Sequence, residues 1–212
     1  KYEFYPLGEY SANYTPAVVV ENIAAAKAVE NGTNVNLTLK DAKITAYVSS
    51  KWGGATAYIE DASGAIQIAG DVLSQFGVEN DSTILNGNIY VKYVNEWGSI
   101  QLSAGDSIAF SKVEAKEGAV SPTTMAVKDI KAETNVARYV EIAFPSFKYD
   151  AENYFYYAAQ NGDTIMVVDN FGWMSSNFDL DEEFNLILPD SVSSIRGIVM
   201  WDDWNGYSIV PT

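Results

Sequence analysis

The chain of 212 residues contains no cysteine and no histidine. That double absence removes Ser-His-Asp and Cys-His nucleophiles, thiolate redox chemistry and nearly every zinc or haem site. What remains for catalysis is a carboxylate pair, a lysine base or an all-oxygen metal site. Positive charge is scarce as well. Lys+Arg total 13 against 28 Asp+Glu, a formal net charge of −15, and the only arginines are Arg138 and Arg196. No basic cluster of the kind that releases counterions from a phosphate backbone is present. The expectation is therefore no nucleic-acid partner and no affinity for anionic membrane surfaces. Long apolar runs are missing too: none approaches the roughly 20 residues of a membrane span. The opening Lys1-Tyr2-Glu3-Phe4-Tyr5-Pro6 lacks the three-part pattern of a secretion signal. It reads as an irregular aromatic tail, or a linker from sequence upstream.

What the chain does contain is core-forming material. Apolar residues make up 48% and aromatics 13%, with 19% charged, enough to bury a core and too apolar for disorder. The length suits one large domain or two of about 100 residues. Thr15-Pro16 followed by the Ala-rich stretch Ala17 to Val29 predicts a helix ended by Asn31-Gly32. From Val35 the period changes to alternation (Val35, Leu37, Leu39) and continues through Ile44 to Val48, one long strand with an irregularity near Asp41. Ala55 to Ile59 and Ala65 to Ile68 form a hairpin around Glu60 to Gly64. Asp71 to Phe76 suits a short helix, and Ile89 to Val94 with Ser99 to Leu102 a second hairpin.

The second half follows the same order. A short helical stretch, Met125 to Ala132, precedes a long strand, Tyr139 to Phe147. A hairpin follows, from Tyr154–Ala158 to Thr164–Val168, then a helix candidate at Phe171 to Phe178. A final hairpin joins Ile195–Trp201 to Tyr207–Val210. Shared order, more than shared residues, argues for an internal duplication. The expected organisation is a tail at 1–15, one domain at 16–118 and a second at 119–212, divided in Glu117-Gly118-Ala119-Val120-Ser121-Pro122.

A long kinked first strand, five strands in all and a helix between the third and fourth is the plan of the OB-fold. The expected fold is all-β: two consecutive OB-fold-like five-stranded Greek-key barrels, each with short helices. The alternative, a pair of immunoglobulin-like sandwiches, needs about seven strands in each domain. Two phrases carry a family likeness. Ala57-Tyr58-Ile59-Glu60-Asp61-Ala62-Ser63-Gly64-Ala65-Ile66-Gln67-Ile68 resembles the second hairpin, and Arg196-Gly197-Ile198-Val199 with Asn205-Gly206-Tyr207-Ser208-Ile209-Val210-Pro211 the last hairpin, of the tandem OB-like domains in secreted proteins and surface lipoproteins of gut bacteria. In the second copy Ala159 stands where Asp61 would be. The resemblance implies extracytoplasmic display, secreted or tethered through an upstream lipid anchor, and implies no reaction and no cofactor.

OB-folds bind through strands two and three and the loops after strands one and four. Those places hold Trp52, Trp97 and Tyr58 in the first half, and Tyr149, Tyr154, Trp201 and Trp204 in the second. Flat rings with a polar edge suit stacking on a sugar or holding a partner's side chain. The competing reading has these rings packing against loop glycines, against the other domain or over a barrel mouth. The acidic runs Asp179 to Glu183 and Asp202-Asp203 lack the spaced pattern of a calcium loop and read as solvated charge. The expected function is a non-catalytic binding module for a glycan or a protein partner. A purely structural domain pair is the second reading and a carboxylate hydrolase the third.

Overall fold

A computed structural model describes residues 16–49, 54–78, 80–96, 98–105 and 108–212. Strands dominate it. Val18–Val20 (β1) lies parallel to Val35–Leu37, so the expected helix from Ala17 shrinks to Ile23–Lys27 (α1). Three consecutive β-branched residues beside an open strand edge favour pairing over helix. The first unit continues through Asn34–Ser49 (β2), Ala55–Glu60 (β3), Ala65–Ala69 (β4), the helix Gly70–Ser74 (α2), Thr83–Glu96 (β5), Ser99–Ala104 (β6) and Lys112–Glu117 (β7).

The long strand β2 closes this sheet. Its first part pairs with β5 and its last part with β3, and Lys43 belongs to both ladders, opposite Ile84 and Glu60. The register shifts between Leu39 and Ala42, where Asp41 takes a φ of 48°. This is the irregularity expected near Asp41: a bulge that bends the strand and lets one backbone serve both sides of a barrel. The Asn86 side-chain oxygen accepts the Asp41 amide at 2.9 Å, so the kink leaves no orphan donor. Going round, β2, β3, β4, β6 and β5 form a closed five-stranded barrel, with β4 and β6 parallel, on an OB-like plan. Leu37, Ile44, Ile59, Ile68, Leu85 and Leu102 fill it, with Ile23 of α1 and Leu73 of α2 sealing openings. Strand β7, absent from the expected set, adds Lys- and Glu-rich backbone to β5. Charge of this kind blunts a free edge.

The second unit comprises Thr123–Thr124 (β8), Val127–Ile130 (α3), Tyr139–Ala143 (β9), Ser146–Asp150 (β10), Phe155–Gln160 (β11), Asp163–Val167 (β12), Trp173–Asn177 (α4), Ser194–Asp202 (β13) and Gly206–Pro211 (β14). The long strand expected at Tyr139 to Phe147 is broken. Phe144 (φ 51°) and Pro145 interrupt it, because proline offers no ladder N–H and disfavours a regular pairing partner. The half before the break pairs with β13 and the half after it with β11. These are the same kinds of neighbour that β2 has, but the hydrogen-bonded sheet ends at β10 on one side and β8 on the other. Closure into a barrel, expected of both halves, holds for the first only.

Between the units lies a third apolar cluster: Ala46, Tyr58 and Ala65 from the first, Ala137 and Ile198 from the second, with Tyr139, Phe171 and Met200 packed on it. The Arg138 guanidinium meets the Glu60 carboxylate at 2.6 Å, and the Tyr139 amide donates to the same carboxylate at 3.2 Å. The side chains of Arg138 and Glu60 are only 21% and 15% exposed. No helix among the described residues is long and apolar enough to cross a membrane.

Candidate binding surfaces

Two local devices organise the loops. The first is helix capping by a hairpin. Asp61 Oδ1 accepts the amides of Ser63 (2.7 Å) and Gly64 (3.0 Å), which makes the turn, while its Oδ2 accepts the first amide of α1, from Ile23, at 3.1 Å. Ser63 Oγ and Asn22 Oδ1 take the next two amides, from Ala24 and Ala25. A helix of five residues has no hydrogen-bonded interior to spare, so these three oxygens satisfy donors that would otherwise be orphaned. In the second unit Gln160, one residue past the Ala159 that replaces the aspartate, accepts the Val127 amide of α3 at 3.2 Å and donates to the Ala143 carbonyl at 2.6 Å. The aspartate of the hairpin phrase is thus a structural residue in the first unit.

The second device is an aspartate turn, used three times in the second unit. Asp150 accepts the amides of Glu152 and Asn153. Asp181 accepts those of Glu183 and Asn185, and Asp202 those of Trp204 and Asn205. In each, the asparagine side chain also donates to the second carboxylate oxygen. The Asn153 side chain holds the Asp150 carboxyl below its usual range, and the Asn185 amide does the same for Asp181. Burial pushes Asp202 the other way, yet the donors from Asn205 and Trp204 leave it lowered. These carboxylates are turned onto their own loops.

The first two turns assemble an aromatic surface. Tyr149 and Tyr156 sit opposite each other on β10 and β11 with ring centroids 4.9 Å apart and planes at 26°. The Tyr156 hydroxyl accepts the Leu186 amide at 2.7 Å, and Tyr149 donates to Asn185 Oδ1 at 2.6 Å. The segment 179–188 is thereby fastened beside the rings, and a backbone bridge between Leu180 and Leu186 closes it into a small loop. Phe184 stands at its tip, 82% exposed, flanked by exposed Leu180 and Ile187; Tyr154, at φ 60°, is 72% exposed. Partial burial raises the Tyr149 phenol, helped by the neighbouring Tyr156 and Tyr154 and by the Asp181 and Asp150 carboxylates.

The expected site residues therefore separate. Tyr149 and Tyr154 share a surface. Trp204, on the third aspartate turn, is 95% exposed and almost free of neighbours. Tyr58 is 2% exposed and offers no face to a ligand: it packs on Phe171 with centroids 5.9 Å apart, and its hydroxyl reaches Met200 Sδ and Gln67 Oε1, each at 3.3 Å. Burial pushes its phenol up to about 12. Trp201 lies across Gly98, where an added Cβ would fall 2.5 Å from the indole; the glycine lets the two units meet there. For Tyr58 and Trp201, packing against the other unit is what the structure shows. Trp52 and Trp97 lie outside the described residues. Phe184, Leu180 and Ile187 are not among the site residues expected from sequence. The available signal was three large apolar residues spaced through an acidic stretch.

No family model matches the chain, and no curated protein does. The likeness to tandem OB-like lipoproteins of gut bacteria finds no support there. Solved structures with a partial likeness to this chain include one described as "Crystal structure of Ifi202 HINa domain in complex with 20bp dsDNA". It is 14% identical with a TM-score of 0.36, over 87% of this chain and 94% of that one. A second, described as "Structural mimicry for functional antagonism", is 14% identical with a TM-score of 0.33, over 90% of this chain and 96% of that one. At this distance no site is carried across. The exclusion of nucleic acid drawn from composition is not retained, and no contact is carried over from the complex with double-stranded DNA. Net charge describes a whole chain, whereas contact with a duplex is made by a local surface.

Proposed function

We propose that this protein is a non-catalytic binding module, and that the surface of Tyr149, Tyr154, Leu180, Phe184 and Ile187 receives a protein partner. The observation that carries this reading is the fixing of exposed apolar side chains by two aspartate turns and two tyrosine hydroxyls. Large apolar groups held in water on a rigid support, with little freedom left to lose, suit a contact surface. The mixture of rings and aliphatic chains favours a protein over a sugar, since sugars are gripped by flat rings and hydrogen-bonding groups. The second sheet is read as an opened version of the first barrel, its loops released for contact.

A second reading rests on Trp204. A lone exposed indole beside the Asp202 and Asn205 side chains fits stacking on a glycan.

Peptide display on the immobilised chain, a glycan array and a 20-base-pair duplex, run in parallel, test the choice. A peptide ligand is expected whose affinity falls at least tenfold in a Tyr154→Ala, Phe184→Ala double variant and is unmoved by Trp204→Ala. Glycan binding lost in Trp204→Ala favours the second reading. Duplex binding untouched by all three changes overturns both.

A further inference from the structure

A separate cavity of about 350 Å³ opens between the two units. Its apolar wall is formed by the Trp201 indole with Ile100 and Val136, and Tyr207 also lines it. Two charges of opposite sign line it as well: Lys27 from α1 and Glu133 from the segment before β9. These two are not an ion pair, and neither forms an ion pair with any other described residue. Lys27 is half-buried, and among the described residues the one hydrogen bond made by its ammonium is a long 3.4 Å contact to the Ala65 carbonyl. Burial lowers its pKa, with Arg138 adding to the effect; Glu133 is near enough to oppose them both. Arg138 is itself engaged by Glu60.

An ammonium withdrawn from water normally finds a partner. Here it faces a space large enough for a small molecule, with a carboxylate also on the wall and an indole for an apolar body to lie against. We propose that this cavity binds a small zwitterion with an apolar side group, of the class of a free aromatic amino acid. Its carboxylate pairs with Lys27, its ammonium with Glu133, and its ring packs on Trp201. Each charge of the ligand meets one charge of the protein, so neither has to be neutralised on entry. Because both units contribute, occupancy also ties them together.

Calorimetric titration of the full chain with L-tryptophan and L-phenylalanine at neutral pH is the test. Tryptamine and indole-3-propionate, which each carry one of the two charges, serve as controls. Binding of the zwitterions is expected, with affinity at least tenfold above either control. Lys27→Met should reduce it about tenfold and abolish the advantage over tryptamine; Glu133→Gln should abolish the advantage over indole-3-propionate. Trp201→Phe, which keeps a ring between the units, should weaken binding several-fold and leave the charge preference intact. No heat with either amino acid at millimolar concentration overturns the proposal, as does binding that both charge variants leave unchanged. The loop variants Tyr154→Ala and Phe184→Ala should not alter it, which keeps this outcome distinct from that of the partner-binding surface.

Discussion

Strand β2 and the broken pair β9–β10 face the same geometric problem and solve it differently. Each must pair on one side with its first half and on the other with its second. In β2 a bulge at Asp41 does this, and the ladder runs on through Lys43 on both sides. In the second unit Phe144-Pro145 cuts the strand, and loop backbone fills in: the Phe144 amide donates to the Ser193 carbonyl at 2.8 Å and the Val192 amide to that of Pro145 at 3.2 Å. A bulge keeps the corner inside the sheet. A break hands it to a loop, and the chain leading into that loop is the one that carries Phe184 and Ile187. Regular closure and an adaptable surface are thus divided between the units.

Putting a proline into the continuous corner is the harshest way to break this contrast. Lys43 is exposed, so Lys43→Pro changes the backbone and little else. It removes an N–H at the residue shared by both ladders and should cost about 3 kcal/mol or more. Pro145 is buried, so Pro145→Ala should cost about 1 kcal/mol in lost packing, with no ladder hydrogen bond at stake. Denaturant unfolding of both variants measures the difference; equal losses would show that the two corners are energetically alike.

The junction between the units supplies the next test. The Tyr58 phenol is buried and its pKa is raised to about 12 from an ordinary 10.0. A raised pKa means that the folded state holds the proton more tightly. The contribution is therefore complete below pH 10 and fades as pH climbs toward 12, a loss on the order of 3 kcal/mol when complete. Tyr58→Phe should flatten that alkaline limb of the stability profile. Smaller, at about 2 kcal/mol, is the effect expected of Arg138→Ala, which leaves the largely buried Glu60 carboxylate with the Tyr139 amide as its donor among the described residues. If the open second sheet leans on the closed barrel, this variant should convert one thermal transition into two, the second unit melting first.

Much of the first unit is legible in sequence because its signals are local. Alternation from Val35 to Leu39, the turn at Asp61 to Gly64 and the kink at Asp41 each lie within a few residues. The split at Phe144-Pro145 was written there as well, in a proline that a long strand could not absorb. Other features were not legible. The loss of the first part of the expected helix to β1 depends on partner residues seventeen positions away, which the three valines pair with while the alanines keep α1. Tyr58 follows a loop-and-strand pattern that suits binding, and only the arrival of Met200 and Phe171 buries it. For the aromatic surface, Tyr149 and Tyr154 could be picked out by position. The link from this hairpin to the Phe184 loop runs through the Tyr149 and Tyr156 hydroxyls, to partners 36 and 30 residues away, which no period encodes.

The mildest test concerns the two hairpin caps, and it sharpens the comparison most. Asp61 shapes its own turn with one oxygen and caps α1 with the other, next to Ser63 and Asn22, so three consecutive amides are satisfied. Gln160 reaches a single amide of α3 and is otherwise spent on the Ala143 carbonyl. Removing a cap costs about 1 kcal/mol, toward 2 when a folded turn is lost with it. Asp61→Ala should fall in that upper range, because turn and cap fail together, and Asp61→Asn should recover most of the loss by keeping an acceptor. Gln160→Ala should cost about 0.5–1 kcal/mol, the value of one net hydrogen bond. Amide exchange at Ile23 and Val127 reports the two sites separately. Faster exchange at Val127 in the wild-type chain would follow from its single cap; equal protection would mean that the three-oxygen arrangement adds nothing to the one-oxygen version.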